Sequence, residues 1–305
     1  MSAGQSWSSA ETVSLIRSRT CYQIPNVVQG TDKRSYIVGE RISAGGNAVV
    51  HECNERVSGE QFAIKFQVEL QDKRRQRFKQ EVDLLAHFDD PHIIAYVTHG
   101  EVAGTKNLRP GARAKRFGQV PRFREEKLPF VILPRASASL AEFVRSHGVI
   151  PTATYLGQFI GLANALVAVN GKALHRDIKP ENILVVGDAW AISDFGLCDL
   201  VVGSLDLSDD DERIGPIFWM SPEALNKQLG CADQISQASD VFQLASVFWY
   251  VTCGRHPSGI VQESDWRGPV GLFPVVQQAL MHSAKNRFSN SEEFRSALVA
   301  AIGID

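Results

Sequence analysis

The chain has 305 residues, 44% hydrophobic and 22% charged, with a formal net charge of −2. That is globular composition, and its charge balance gives no global attraction to nucleic acid or to an anionic membrane. No apolar run reaches the roughly 18 residues of a spanning helix, and the scattered cysteines (Cys21, Cys53, Cys198, Cys231, Cys253), without a CxxC pair, argue against a disulfide framework or a zinc site.

Residues 1–34 are Ser/Thr-rich and weakly periodic, and read as an extension, either a free arm or a docked one. The first ten carry no basic start followed by an apolar core, so no secretory signal is expected. A reducing, cytoplasmic setting is. From residue 35 to 66, β-prone runs alternate with turns: Ile37-Val38, then Ala48-Val49-Val50-His51, then Phe62-Ala63-Ile64-Lys65-Phe66, with Gly45-Gly46 and Ser58-Gly59 as hairpin turns. Residues 71–87 start charged and then turn helical in period through Phe78, Val82 and Leu85. Short strands are expected at 93–99 and 128–133, separated by a stretch rich in Lys, Arg, Gly and Pro.

Helices dominate afterwards, at 139–147, 152–170, 239–252, 274–282 and 291–302. Between the second and third lies "HRDIKPENIL", residues 175–184. Pro180 prevents a helix from running through it, so its polar groups read as a loop aimed at one point, followed by a hairpin at 183–186 and 190–192. An acidic irregular stretch runs to about Glu212. No internal repeat is visible. A β-rich front half joins a helical back half, with a hinge expected near Pro134-Arg135-Ala136, and clefts between lobes are common ligand sites.

Six short motifs fall in order: "FAIK" ending at Lys65, Glu81 in "KQEVDLL", "HRDIKPEN", "DFG" with Asp194, "SPE" ending at Glu223, and a long apolar helix opening with Asp240. Any one of them is weak, but the ordered set resembles the eukaryotic-type (Hanks-type) serine/threonine protein kinase family from about residue 35 to the C-terminus. The resemblance implies an α+β, bilobal protein kinase fold: an extension (1–34), a β-rich N-lobe with one main helix (35–134) and a mostly helical C-lobe (135–305).

It also implies roles. Asp177 matches the residue that accepts the substrate proton, and Lys179 the lysine that steadies the transferring phosphate in Ser/Thr-specific members. Asn182 and Asp194 match the metal ligands for Mg²⁺, with Mn²⁺ as the alternative ion. Lys65 is expected on the α/β-phosphates of ATP, paired with Glu81. Ile42, Ser43, Gly45 and Gly46 match the phosphate loop. Val50, Ala63 and Leu184 match the apolar positions around adenine, and Leu133 (with Ile132 as the alternative), Pro134 and Ala136 match the hinge. His175, Phe195, Gly196 and Asp240 are expected to be structural, Glu223 to pair with Arg287, and Arg176 to need an anion from the segment after Gly196. The acidic run 209–212, or phosphate on Ser208, is the expected source, and Ser204 and Ser208 are the candidate phosphosites.

The family pattern is not complete. Its GxGxxGxV maps to Ser43-Ala44-Gly45-Gly46-Asn47-Ala48-Val49-Val50, with only Gly45 in register, and Pro216 replaces a common threonine. Residues 101–127 form a basic insertion, either a solvated loop or a dock for an acidic partner; its two aromatics are too few to suggest nucleic-acid stacking. The reading is an ATP-dependent serine/threonine protein kinase acting on a protein hydroxyl. The competitors are a pseudokinase or scaffold, favoured by the degraded loop and opposed by retention of Lys65, Asp177, Asn182 and Asp194, and a small-molecule kinase of the same fold.

Overall fold

The structure, a computed structural model, describes residues 11–18, 20–45, 48–108, 122–200, 218–230 and 234–303. It contains two compact units, one of residues 1–82 with 96–135 and the other of residues 83–95 with 136–305.

The first unit is an antiparallel sheet of eight strands: β1 (Thr12–Arg17), β2 (Thr20–Pro25), β3 (Val27–Gln29), β4 (Ser35–Gly45), β5 (Ala48–Glu55), β6 (Gln61–Gln67), β7 (Thr98–Leu108) and β8 (Arg122–Pro134). Their spatial order is β1-β2-β7-β8-β6-β5-β4-β3. Side chains alternate between faces along each strand. One face buries Val49, Cys53, Phe62, Ile64, Phe66, Phe130 and Ile132 in a single cluster. On the other, Val131 and Leu133 pack against Phe78 and Val82 of helix α1 (Asp72–Leu85).

Residues 12–29 are docked on the sheet rather than a free arm. Leu15, Tyr22, Ile24 and Val28 are buried in the sheet's main cluster, and the sheet curls until β1 lies against β4 and β5. The weak periodicity has a simple cause. The outward positions of β1 and β2 mix polar Thr12, Ser14 and Gln23 with Ile16, Cys21 and Pro25, which blurs the alternation, and Gln23 Nε2 donates to Ser14 Oγ across the pair at 2.6 Å.

The basic stretch also differs from a loop over its described part. β7 and β8 continue as a ladder as far as Leu108 opposite Arg122. Lys106 Nζ lies 5.3 Å from the Tyr22 ring, so part of its charge is used within the sheet. Residues 93–97 make only an isolated bridge, Ile93 with Ile192, and the strand expected there begins at Thr98. Ile94 N–H donates to Ile192 O, and Ile192 N–H to His92 O, both at 2.8 Å. These bonds explain why residues 83–95 group with the second unit.

That unit comprises β9 (Ala138–Ser139), α2 (Leu140–His147), α3 (Thr152–Asn170), β10 (Ala173–Leu174), β11 (Ile183–Val186), β12 (Ala189–Ile192), β13 (Asp199–Leu200), α4 (Pro222–Asn226), α5 (Gln237–Cys253), α6 (Phe273–Ala279) and α7 (Ser291–Ile302). Ser139 and Glu142 form a reciprocal capping box that starts α2. α3 is long and apolar enough to span a bilayer by composition alone. Here it is the central helix of the unit, with Phe159 stacked on Phe248 of α5 at 3.8 Å between centroids. Gly161 is needed on it, because a Cβ there would lie 2.1 Å from the His92 ring.

Leu15→Ala is expected to destabilise the protein by about 2–5 kcal/mol, the range for truncating a fully buried leucine. An unchanged denaturation midpoint would remove β1 from the core.

Candidate active site

In the first unit, Lys65 and Glu81 form an ion pair, Nζ to Oε1 at 2.6 Å, with side chains 15% and 4% exposed. The sheet register decides what surrounds Lys65. It sits opposite Val50 on β5 and Val131 on β8, while Ala63 sits opposite Leu133. Partners directly across a ladder share a face, so Val50, Ala63 and Leu133 lie on the lysine's side, all half-buried. Ile132 points the other way, into the main cluster. β4 stays paired with β5 through Ser43, Ala44 and Gly45. Ile42 is exposed, Pro134 ends β8, and Gly46 lies outside the described residues.

In the second unit, one carboxylate organises the HRD loop. Asp240 accepts the backbone N–H of His175 (2.8 Å) and of Arg176 (2.9 Å) and the side-chain amide of Asn170 (2.8 Å). One turn along α5, Gln243 accepts from Ile178 N–H at 3.0 Å and donates to Arg176 O at 3.1 Å. The backbone turns sharply here, with Arg176 at φ +66°. Asn170 and Gln243 were not among the residues singled out from the sequence. The available signal was a glutamine three residues after Asp240, on the same face of an apolar helix.

Asp177 is buried beneath this turn. Lys179 Nζ donates to both its carboxylate oxygens, at 3.0 and 2.9 Å, and Asn182 Nδ2 donates to Oδ2 at 2.8 Å and to the backbone carbonyl at 2.9 Å. Burial pushes the Asp177 carboxyl above the usual carboxylate range, and the Lys179 ammonium only partly opposes it. His175 is fully buried, which holds its pKa below the usual imidazole value. Its ring lies edge-on to Phe195 at 4.9 Å, and Nδ1 accepts the Asp177 N–H at 3.3 Å.

The β11–β12 hairpin sets the remaining oxygens. Ile183 pairs with Ile192, which places Asn182 and Ser193 at the same end. Both Ser193 N–H (2.8 Å) and Ser193 Oγ (2.9 Å) donate to Asn182 O. Asp194 follows at φ +63° with an exposed side chain, and the half-buried Gly196 comes two residues later. Asn182 commits its amide nitrogen to Asp177, leaving its hard oxygen, with the Asp194 carboxylate, as the donor set. Two oxygen donors fit Mg²⁺, which keeps several waters and takes further ligands from phosphates. Leu184 is half-buried on β11 and Ala136 precedes β9.

Arg176 finds its anion closer than expected. Nη2 pairs with Asp199, three residues after Gly196. The acidic run 209–212, Ser204, Ser208 and Pro216 lie outside the described residues. Glu223 and Arg287 form a two-pronged pair, each prong 2.9 Å, on side chains 1% and 0% exposed. Ser239 Oγ adds a donor to Glu223 at 2.6 Å, and Arg287 also donates to the Met281, His282 and Ala238 carbonyls. Burial alone would raise the Glu223 carboxyl, but the donated hydrogen bonds outweigh it and hold its pKa below the usual range.

Comparison with known proteins places the chain in a family. The model of the protein kinase domain matches residues 36–298. The serine/threonine-protein kinase AfsK of Streptomyces griseus is 30% identical over 173 residues, 52% of this chain and 21% of that protein. AfsK of Streptomyces coelicolor is 35% identical over 120 residues, 39% of this chain and 14% of its own length. The serine/threonine-protein kinase pkn2 of Myxococcus xanthus is 27% identical over 289 residues, 85% of this chain and 31% of that protein. The aligned regions thus span less than a third of each relative.

Arg287→Ala leaves a carboxylate buried without its partner and is expected to lower unfolding free energy by about 3–5 kcal/mol. Thermal denaturation checks this, and an unshifted Tm would contradict the structural role of the pair.

Proposed function

This chain belongs to the protein kinase family, and we propose that it is a serine/threonine protein kinase that transfers the γ-phosphate of ATP to a protein hydroxyl. The observation that carries the proposal is the Asp177 cluster: a buried carboxylate with raised proton affinity, fixed by Lys179 and Asn182 on a loop that Asp240 holds in place. Phosphoryl transfer asks little covalent chemistry of the protein and much positioning and charge neutralisation. These side chains supply both.

In this reading Asp177 orients the acceptor hydroxyl and takes its proton as the oxygen bonds to the γ-phosphorus. The bond from phosphorus to the β–γ bridging oxygen breaks, and ADP leaves. Lys179 balances charge on the transferring group. Lys65, kept on its sheet face by Glu81, binds the α- and β-phosphates. Ser43 and Gly45 present backbone N–H groups, and Val50, Ala63, Leu133 and Leu184 supply apolar contacts for adenine, with the Pro134 carbonyl accepting from its amino group. Asn182 and Asp194 would hold a divalent cation such as Mg²⁺, which would supply positive charge to offset that of the phosphates. The names of the similar proteins and the presence of Lys179 both favour Ser/Thr over Tyr acceptors, and the exposed Glu181 beside Lys179 favours a basic residue near the acceptor.

Transfer from γ-labelled ATP to a generic protein substrate tests the proposal. Asp177→Ala and Asp194→Ala are each expected to lose about 10²–10⁴-fold in rate, the range for a positioned proton acceptor or an electrostatic stabiliser. A wild-type protein that labels no protein hydroxyl would end the reading, and transfer to sugars alone would replace it with the small-molecule kinase.

The pH dependence has a definite sign. A proton acceptor must be ionised, so raising its pKa moves the acid limb of kcat upward, above the ordinary aspartate value of about 3.9. Lys179→Ala removes the opposing ammonium and is expected to move the limb higher still. An unmoved limb would mean that another group sets it.

A further inference from the structure

The family match begins at residue 36, yet β1 and β2 precede it and belong to the same sheet. Their attachments are specific. Leu15, Tyr22 and Ile24 fill the cluster that also holds Val49, Phe66 and Val68. Two polar contacts then tie the hairpin to elements that bear on the nucleotide.

The first contact is on the chain between β6, which carries Lys65, and α1, which carries Glu81. Arg17 Nη1 donates to Glu69 Oε1 at 2.5 Å, on side chains 26% and 27% exposed. Gln67 Nε2 donates to the Glu69 carbonyl at 2.6 Å, so the hairpin and the end of β6 both hold this connection. The second contact is on β4. Arg41 Nη1 donates to Ile16 O at 3.3 Å. Arg41 sits where the β4–β5 register shifts, once between Val38 and Arg41 and again between Arg41 and Ser43. Such an irregularity is where a strand bends, and the segment beyond it, Ser43 to Gly45, is the one assigned above to phosphate.

We propose that the hairpin β1–β2, through Arg17–Glu69 and Arg41–Ile16, is a positioning element for nucleotide binding. It holds the tip of β4 and the start of α1 in their nucleotide-competent arrangement. The inference rests on the kinase reading. A loop with three glycines reaches many conformations and is ordered by its ligand; this strand has Ser43 and Ala48 at two of those positions and keeps its tip paired with β5. The hairpin then sets where the whole strand lies. Apparent affinity scales with the fraction of molecules in the competent arrangement, so loosening the two contacts weakens nucleotide binding without touching the groups that transfer phosphate.

A purely structural cap predicts something different. Its contribution would come from Leu15, Tyr22 and Ile24, whereas a partly exposed ion pair and a single bond from the exposed Arg41 add little to stability. Polar variants therefore separate the two roles.

The experiment titrates Mg²⁺–ADP calorimetrically into the full chain and measures kcat at saturating ATP. The proteins are wild type, Arg41→Ala, Arg17→Glu, Glu69→Arg and the double swap Arg17→Glu/Glu69→Arg. Each single variant is expected to raise Kd about three- to tenfold, in proportion to the lost competent fraction, with kcat and Tm nearly unchanged. The double swap is expected to restore affinity. Unchanged Kd in the single variants, or a swap that fails to restore it, overturns the inference while leaving the kinase reading intact. Wild-type protein that binds no nucleotide overturns both.

Discussion

A carboxylate removed from water must be met by donors, and Asp240 is met by three. Two come from consecutive backbone N–H groups in a turn that includes a non-glycine residue at positive φ. Such a conformation persists only where its surroundings over-determine it. Asp240 and Gln243, one turn apart on a rigid helix, provide that determination. The orientation of Asp177, and through it of Lys179 and Asn182, follows from this anchoring. The HRD loop has little secondary structure of its own and borrows its geometry from α5.

The same principle recurs with different consequences. Glu223 and Arg287 are buried almost completely and satisfied by further carbonyl and hydroxyl partners. A pair of that kind adds little net stability over an apolar replacement, but neither member tolerates loss of the other. It ties α4 and the start of α5 to the segment before α7. Lys65 and Glu81 are nearly as buried but join a strand to a helix, so their value lies in where the ammonium points. Arg176 and Asp199 join the HRD loop to β13. In each case the charges fix position more than they add stability.

Much of this was legible in the chain. Alternation from Gln61 to Gln67 and the helical period of residues 152–170 announce their elements, because burial of one face leaves a period in the sequence. The bounds of α3 and α7 match their sequence patterns to the residue. Other elements left no such trace. β1 and β2 place Ile16, Cys21 and Pro25 among polar residues on their outward positions, so no clean alternation marks them as strands, although Leu15 and Tyr22 are wholly buried. The basic stretch reads as a loop because charge dominates it, while its described ends are a ladder whose Lys106 covers Tyr22. Arg176 pairs with Asp199 of β13, a closeness that sequence separation conceals.

The sequence by itself determined the family. An ordered series of lysine, glutamate, HRD, DFG and SPE motifs is the signature of a protein kinase domain, and it is written in local residue order. Tertiary structure alone decided which neighbours make the groups competent. It put Leu133 on the face of Lys65 and Ile132 on the other, gave Asp177 its raised proton affinity by burial, and joined a hairpin outside the family pattern to β4. Each is a contact between residues far apart in sequence, set by packing and hydrogen-bond satisfaction in three dimensions, and local pattern carries no record of it.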